Sequence, residues 1–310
     1  MRSKWHCYWF RRSRYFDLAV CRIIAVLTQL LVLLAFRDYL FSAANQPPHL
    51  YDPLLVVRSL LLPFGDHVFL SAFALKAIYV TTLIAGIGGL VGLFTRTSLG
   101  LFAVGSILLH GYNYSFGEIH HPEALMMMFL VFLALSPSGT VLSMDDLRRR
   151  GGTDLREYLT GALDRQGEYA AWPLLLMQAM FALVYFDAAI SKLSVGGLNW
   201  VNGYTLQYYF GQDGLRWGSL LGLWLSEHHI LARLVSMGAL LFELTFFVVL
   251  IRPSLAWLYL PAGVMMHTGI YLTMKAPFFQ YIALYSVFVP WAVILLGKLR
   301  VRGDTNLVTA

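Results

Sequence analysis

Charged and imidazole side chains set in or beside long apolar runs are the groups of this 310-residue chain best placed to do chemistry. Lys192 closes one such run after Tyr185-Phe186-Asp187-Ala188-Ala189-Ile190-Ser191 and precedes Asn199-Trp200-Val201-Asn202-Gly203-Tyr204. A buried lysine can lose its proton near neutral pH and serve as a base, whereas a lysine at a helix end also snorkels to lipid headgroups. His120 and His121 precede Pro122 and Glu123, which could be half a metal site. No HExxH and no second ligand cluster accompanies them, so no metal is expected. His267 is a lone histidine in an apolar run, suited to acid–base work or to a helix–helix hydrogen bond. Arg22, Lys76, Asp187 and Glu243 are further charges in apolar segments. Each such charge costs at least about 2.5–3.5 kcal/mol at mid-helix, and the plainest expectation is that these four pair with one another between helices.

The elements that must position these groups follow from composition. Hydrophobic residues make up 58% of the chain and charged ones 13%, too little charge for an ordinary soluble domain. Several runs reach roughly 18 apolar residues, the length that crosses a hydrocarbon core as a helix, and none alternates as barrel strands do. The candidate spans are Leu18 to Phe36, Val68 to Phe94, Ser98 to Tyr112, Glu123 to Leu135, Trp172 to Lys192, Leu231 to Ile251, Ser254 to Leu272 and Phe278 to Leu296. The expected fold is all-α: a polytopic integral membrane helical bundle of about eight transmembrane helices. No repeat or linker divides it, so residues 1–310 read as a single membrane domain.

Residues 1–17 resemble the start of a signal peptide, and Ser42-Ala43-Ala44 could pass for its cleavage site, but the run from Leu18 is longer than a typical h-region. A retained helix is expected. Placing the N-terminus in the cytoplasm puts Arg2, Lys4, Arg11, Arg12, Arg14, Arg96, the arginines of the 138–171 loop, Arg252, Lys298, Arg300 and Arg302 inside, against only Arg37, Arg58, Lys192, Arg216, Arg233 and Lys275 outside. Both termini, including the 297–310 tail, are then cytoplasmic in a multi-pass protein of the cell membrane. Lys192 and His120–His121 share the outer side, with His267 roughly mid-span, so they could converge on one cavity. The external 193–229 stretch, rich in Trp, Tyr and Gly, should lie along the interface or fold back over the helices.

The net charge of +6 is not gathered on one aromatic-rich face, so no nucleic-acid partner is expected. Cys7 and Cys21 form no metal or disulfide pattern.

Three blocks resemble the membrane domain of the vitamin K-dependent gamma-glutamyl carboxylases, within the broader horizontally transferred transmembrane (HTTM) domain superfamily. One is Tyr185-Phe186 through Lys192, then Trp200, Gly203 and Tyr204. Another is His267 followed by Phe279 and Tyr281. The third is His121 followed, after an apolar span, by Ser143-Met144-Asp145; Arg22 also fits the superfamily pattern. The resemblance implies that Lys192 deprotonates a reduced quinone of the vitamin K or menaquinone type, assisted by His121 and beside His120. His267, Trp200, Gly203, Tyr204, Phe279, Tyr281, Asp187, Glu243 and Arg22 would line the cavity. Oxygen would convert the quinol anion into a strong base that removes a carbon-bound proton, and carbon dioxide would then be captured on a peptide or small substrate. Such a base requires a dry site. The carboxylases also carry a large lumenal region for peptide docking, without counterpart before Ala310; Asp187 stands where they look apolar, and Ser191 replaces a second lysine. The alternative is a non-enzymatic quinone- or lipid-binding scaffold, an immunity-type protein or a transporter.

Overall fold

The computed structural model describes residues 4–65, 67–117, 121–151 and 154–296, and these are nearly all helical. The chain divides into two compact units, one of residues 1–175 with 289–310 and the other of 176–288.

The first unit is built on α1 (Tyr15–Ala35), α2 (Ala72–Val91), α3 (Thr95–Tyr114) and α4 (His121–Leu135). On α1 the residues at helical spacing, Leu18, Cys21, Arg22, Ala25, Val26, Gln29 and Leu33, are buried together. Small residues let α2 approach its neighbours closely, since apolar tails offer little hydrophobic gain for helix association and backbone proximity must supply it. A Cβ added at Gly86 would lie 2.6 Å from Leu30 Cδ2 and 2.7 Å from Phe102 Cε2. Gly92 ends α2 in left-handed backbone (φ 71°) with Ser143 packed against its Cα, which admits no side chain.

Two helices follow in the 138–171 loop, α5 (Met144–Arg150) and α6 (Leu155–Asp164). Helix α5 carries Arg148, Arg149 and Arg150 in its last turn. A two-residue antiparallel ladder joins Ser13–Arg14 to Gln166–Gly167, and Phe16, Ala19, Val141, Ala162, Leu163 and Ala292 form a small core beside it.

Helix α7 (Ala171–Gly196) leads into the second unit. A 3-10 segment, Gly197–Asn202, precedes α8 (Tyr204–Trp217), α9 (Leu220–Ser226), α10 (His229–Thr245), α11 (Ala256–Met274) and α12 (Phe279–Leu284). The 193–229 stretch folds back, because α8 packs on α10 and α11, while Ser219 Oγ donates to Leu272 O at 2.6 Å.

Among the described residues, four helical segments are long and apolar enough to cross a membrane: Tyr15–Ala35, Ala72–Val91, Glu168–Asn202 and His229–Ile251. Helices α3 and α11 are comparable at 20 and 19 residues but more polar, with His110, Asn113 and His267 among their residues. The expected eighth span is not one helix. It breaks into α12, a 3-10 turn at Tyr285–Phe288 and a further helical piece at 291–296, because Pro290 supplies no backbone donor.

Candidate functional site

In the second unit, Lys192 sits four residues before the end of α7, near the pole of the helix dipole that favours a cation. Its Nζ donates to Glu243 Oε1 on α10 at 2.6 Å and also reaches Oε2. The Lys192 side chain is 23% exposed and that of Glu243 11%. The Trp200 ring centroid lies 5.6 Å from Nζ, a cation–π distance.

Several contacts hold that indole in place. Ser236 Oγ on α10 donates to Trp200 O at 2.7 Å, and Asn202 Oδ1 accepts from Tyr204 N at 2.9 Å at the start of α8. Gly203 has a φ of 95° and meets the Arg233 backbone 2.8 Å from where a Cβ would stand, so only glycine fits. Ser191, Lys192, Val195, Gly196, Trp200 and Thr205 line an open recess of about 410 Å³. One cation, one indole face and two hydroxyl-bearing residues thus meet at a largely apolar wall.

A second cluster surrounds His267, which is 4% exposed. Tyr185 Oη lies 2.6 Å from His267 Nε2 and 2.5 Å from Tyr285 Oη, all three groups being buried. Phe278 and Tyr281 pack on the imidazole with ring centroids at 5.4 and 5.1 Å. The Tyr285 hydroxyl occupies the space where a side chain on Gly263, one turn before His267, would begin. His267 Nδ1 is buried with no hydrogen-bond partner among the described residues. Tyr185 and Lys192 are seven residues apart on α7, about two turns and roughly 10 Å along one helix face. Phe242, next to Glu243, packs edge-on against Tyr185 at 5.3 Å.

Tyr204 is exposed and packs on His229, with centroids 4.3 Å apart. Phe279 is half exposed and rests on Tyr271. Asp187 and Lys76 are exposed, so the expected mutual pairing of Arg22, Lys76, Asp187 and Glu243 is corrected. Glu243 takes Lys192 instead, and Arg22 takes backbone oxygens. In the first unit Arg22, fully buried, donates to Ser138 O at 2.8 Å and Leu142 O at 2.5 Å, clamping the loop after α4. His120 lies outside the described residues, and His121 opens α4.

The Ser143-Met144-Asp145 block binds helix ends. Ser143 Oγ accepts from Asp146 N at 3.0 Å, and the Asp145 carboxylate accepts from Phe94 N, Thr95 N and Thr95 Oγ1 at 2.7–2.9 Å. Burial raises the Asp145 carboxyl pKa, but those bonds outweigh it and hold the group below the ordinary carboxylate range.

Sequence reasoning missed Tyr285 and two pairs. His110 Nε2 meets Gln29 Nε2 at 3.0 Å inside the first unit, and His229 Nδ1 meets Gln207 Oε1 at 2.9 Å in the second. The available signal is polarity in or beside apolar segments, which is weaker for neutral side chains because they cost less to bury than charges.

Comparison with protein families matches residues 10–292 to the HTTM domain, a span that takes in residues of both units. The chain belongs to the HTTM domain family. No curated protein and no solved structure matches it. The Lys192 recess and the His267 cluster therefore stand within the HTTM match, as do Arg22 and the Asp145 helix cap.

Proposed function

We propose that this HTTM protein is an integral membrane enzyme in which Lys192 takes a proton from a reduced, bilayer-soluble quinone and Glu243 holds the proton that Lys192 must first give up. The observation that carries this reading is the Lys192–Glu243 pair at an open recess faced by Trp200. When the shared proton rests on the carboxylate, Lys192 is an amine, and a neutral amine can accept a hydroxyl proton. The residues fit a quinol: Trp200 offers a face for an aromatic ring, Lys192 Nζ meets a ring hydroxyl, and Ser191 and Thr205 can hydrogen-bond. A reduced quinone bound there would supply, with oxygen, the driving force for removing a carbon-bound proton before carbon dioxide capture, as in the carboxylases this chain resembles. His121 is assigned its assisting role by that resemblance alone. Entry from the bilayer suits a recess at the end of a long apolar helix.

The test supplies reduced menaquinone analogue to protein in lipid nanodiscs and follows oxygen consumption and quinone epoxide. Wild type should turn over, Lys192→Ala should not, and Glu243→Gln should lose most of the rate. Wild-type turnover by Lys192→Ala would overturn the reading. The pair would then be a structural tie in a non-enzymatic membrane scaffold, the role a satisfied ion pair between helices also suits.

A further inference from the structure

One end of the first unit keeps more cations exposed than it has carboxylates free to meet them. The short ladder brings residues 13–14 to 166–167, Phe10 packs on Tyr169 with centroids 6.0 Å apart, and Arg165 donates to Thr140 O at 3.1 Å. The N-terminal segment, α5 and α6 thus belong to one surface. Two carboxylates of α5 are already committed. Asp145 caps α3, and Asp146, 1% exposed, meets Arg150, Arg165 and Arg149 at 3.1, 3.0 and 3.8 Å. Asp154 caps α6 by accepting from Arg156 N at 3.2 Å, and Asp154, Glu157 and Asp164 are the exposed carboxylates of α6. Arg11, Arg12, Arg148 and Arg156 are exposed, with no carboxylate within ion-pair distance among the described residues.

The same surface exposes Trp5 and Leu155 by 72% and 69%. Water alone favours neither. Arginines interleaved with indole and aliphatic side chains suit the headgroup layer, where phosphates meet the cations and upper acyl carbons meet the apolar groups.

We propose that this end of the first unit binds the headgroups of anionic phospholipids. Guanidinium groups match phosphate oxygens in charge and in fork geometry, and each adds roughly fivefold to the attraction near a negative surface. Such attraction weakens as salt shortens the screening length.

The experiment measures binding of fluorescent short-chain phosphatidylglycerol and phosphatidylcholine to the full-length protein in a neutral detergent. Phosphatidylglycerol should bind tighter. In the triple variant Arg12→Gln/Arg148→Gln/Arg156→Gln its affinity should fall at least about tenfold toward the phosphatidylcholine level, as it should for wild type in about 0.5 M salt. An unchanged thermal midpoint in detergent alone would show that the variant remains folded. If it does not, Arg12→Gln and Arg156→Gln singly must each reduce phosphatidylglycerol affinity. Equal binding of both lipids by wild type, or wild-type affinity in a folded triple variant, would overturn the proposal. So would displacement of the lipid by inorganic phosphate or an acidic peptide at matched charge, since a soluble anion or protein would then be the better partner.

Discussion

Lys192 donates to both carboxylate oxygens of Glu243, a residue 51 positions further along the chain, and the contact ties α7 to α10 beside the Trp200 ring. Neither charge has a partner one turn away on its own helix, so each depends on the other helix being in place. The pair therefore reports on both packing and chemistry, which substitution can separate.

Removing one member leaves the other largely desolvated. Lys192→Met and Glu243→Met should each destabilise the protein by about 2 kcal/mol, while the double variant should recover most of that loss. Thermal midpoints in detergent give the stability cycle. Oxygen consumption with reduced quinone gives the functional one, in which the double variant should stay inactive. Recovery of activity with stability would remove Lys192 from the chemistry.

The Tyr185 hydroxyl bridges His267 and Tyr285. Tyr185→Phe leaves both partners short of a hydrogen bond in a buried site and should cost about 1–2 kcal/mol. Tyr285→Phe should cost less, since it retains the Tyr185–His267 bond. Equal and negligible effects in chemical denaturation would show that water replaces the bridge.

Much of the helical layout was legible because hydrophobic length is a local property: the runs around Leu18 to Phe36 and Val68 to Phe94 became α1 and α2 within a few residues. Lys192, His267 and Glu243 stood out because polarity in such runs demands a reason. Their partners did not, since Tyr185 and Tyr285 are 100 residues apart and only packing joins them. Arg22 misled for a related reason. Sequence suggests a carboxylate for a buried guanidinium, but carbonyls of a tight loop serve as well, and that loop forms only when Leu142 adopts left-handed backbone (φ 51°). Run length alone joins Phe278 to Leu296 into one span, whereas Pro290 separates its helical pieces.

Asp145 should give the first unit an acid-sensitive stability. Its carboxylate pKa is lower in the folded chain than in the unfolded one, so the contribution is fully present above the ordinary carboxylate range, near pH 4, and is lost as pH falls through the lower folded value. Asp145→Asn should flatten that acid limb, and Asp145→Ala should cost about 1 kcal/mol at neutral pH through loss of the helix cap. Unfolding midpoints measured from pH 3 to 7 would show it; parallel curves for wild type and Asp145→Asn would refute it.

Two glycines in adjacent helices should respond oppositely. Gly86→Ala drives a methyl group into Leu30 and Phe102 and should destabilise by about 1–3 kcal/mol. Gly100→Ala meets nothing within 4 Å and should be neutral or stabilise by up to about 1 kcal/mol, because alanine restricts the unfolded chain. Similar losses in both would mean that helix packing does not set the cost.

The Tyr285 hydroxyl fills the volume that a side chain at Gly263 would need, so neither position can vary independently. Across the HTTM family this should show as joint inheritance: the Tyr285 ring carbon Cζ would itself stand 2.5 Å from a Cβ at Gly263, so alanine there calls for a side chain smaller than phenylalanine at the position of Tyr285. Alignment columns for these two residues, 22 apart in sequence order, should therefore drift together, recording in ancestry how closely α11 and the turn after α12 approach.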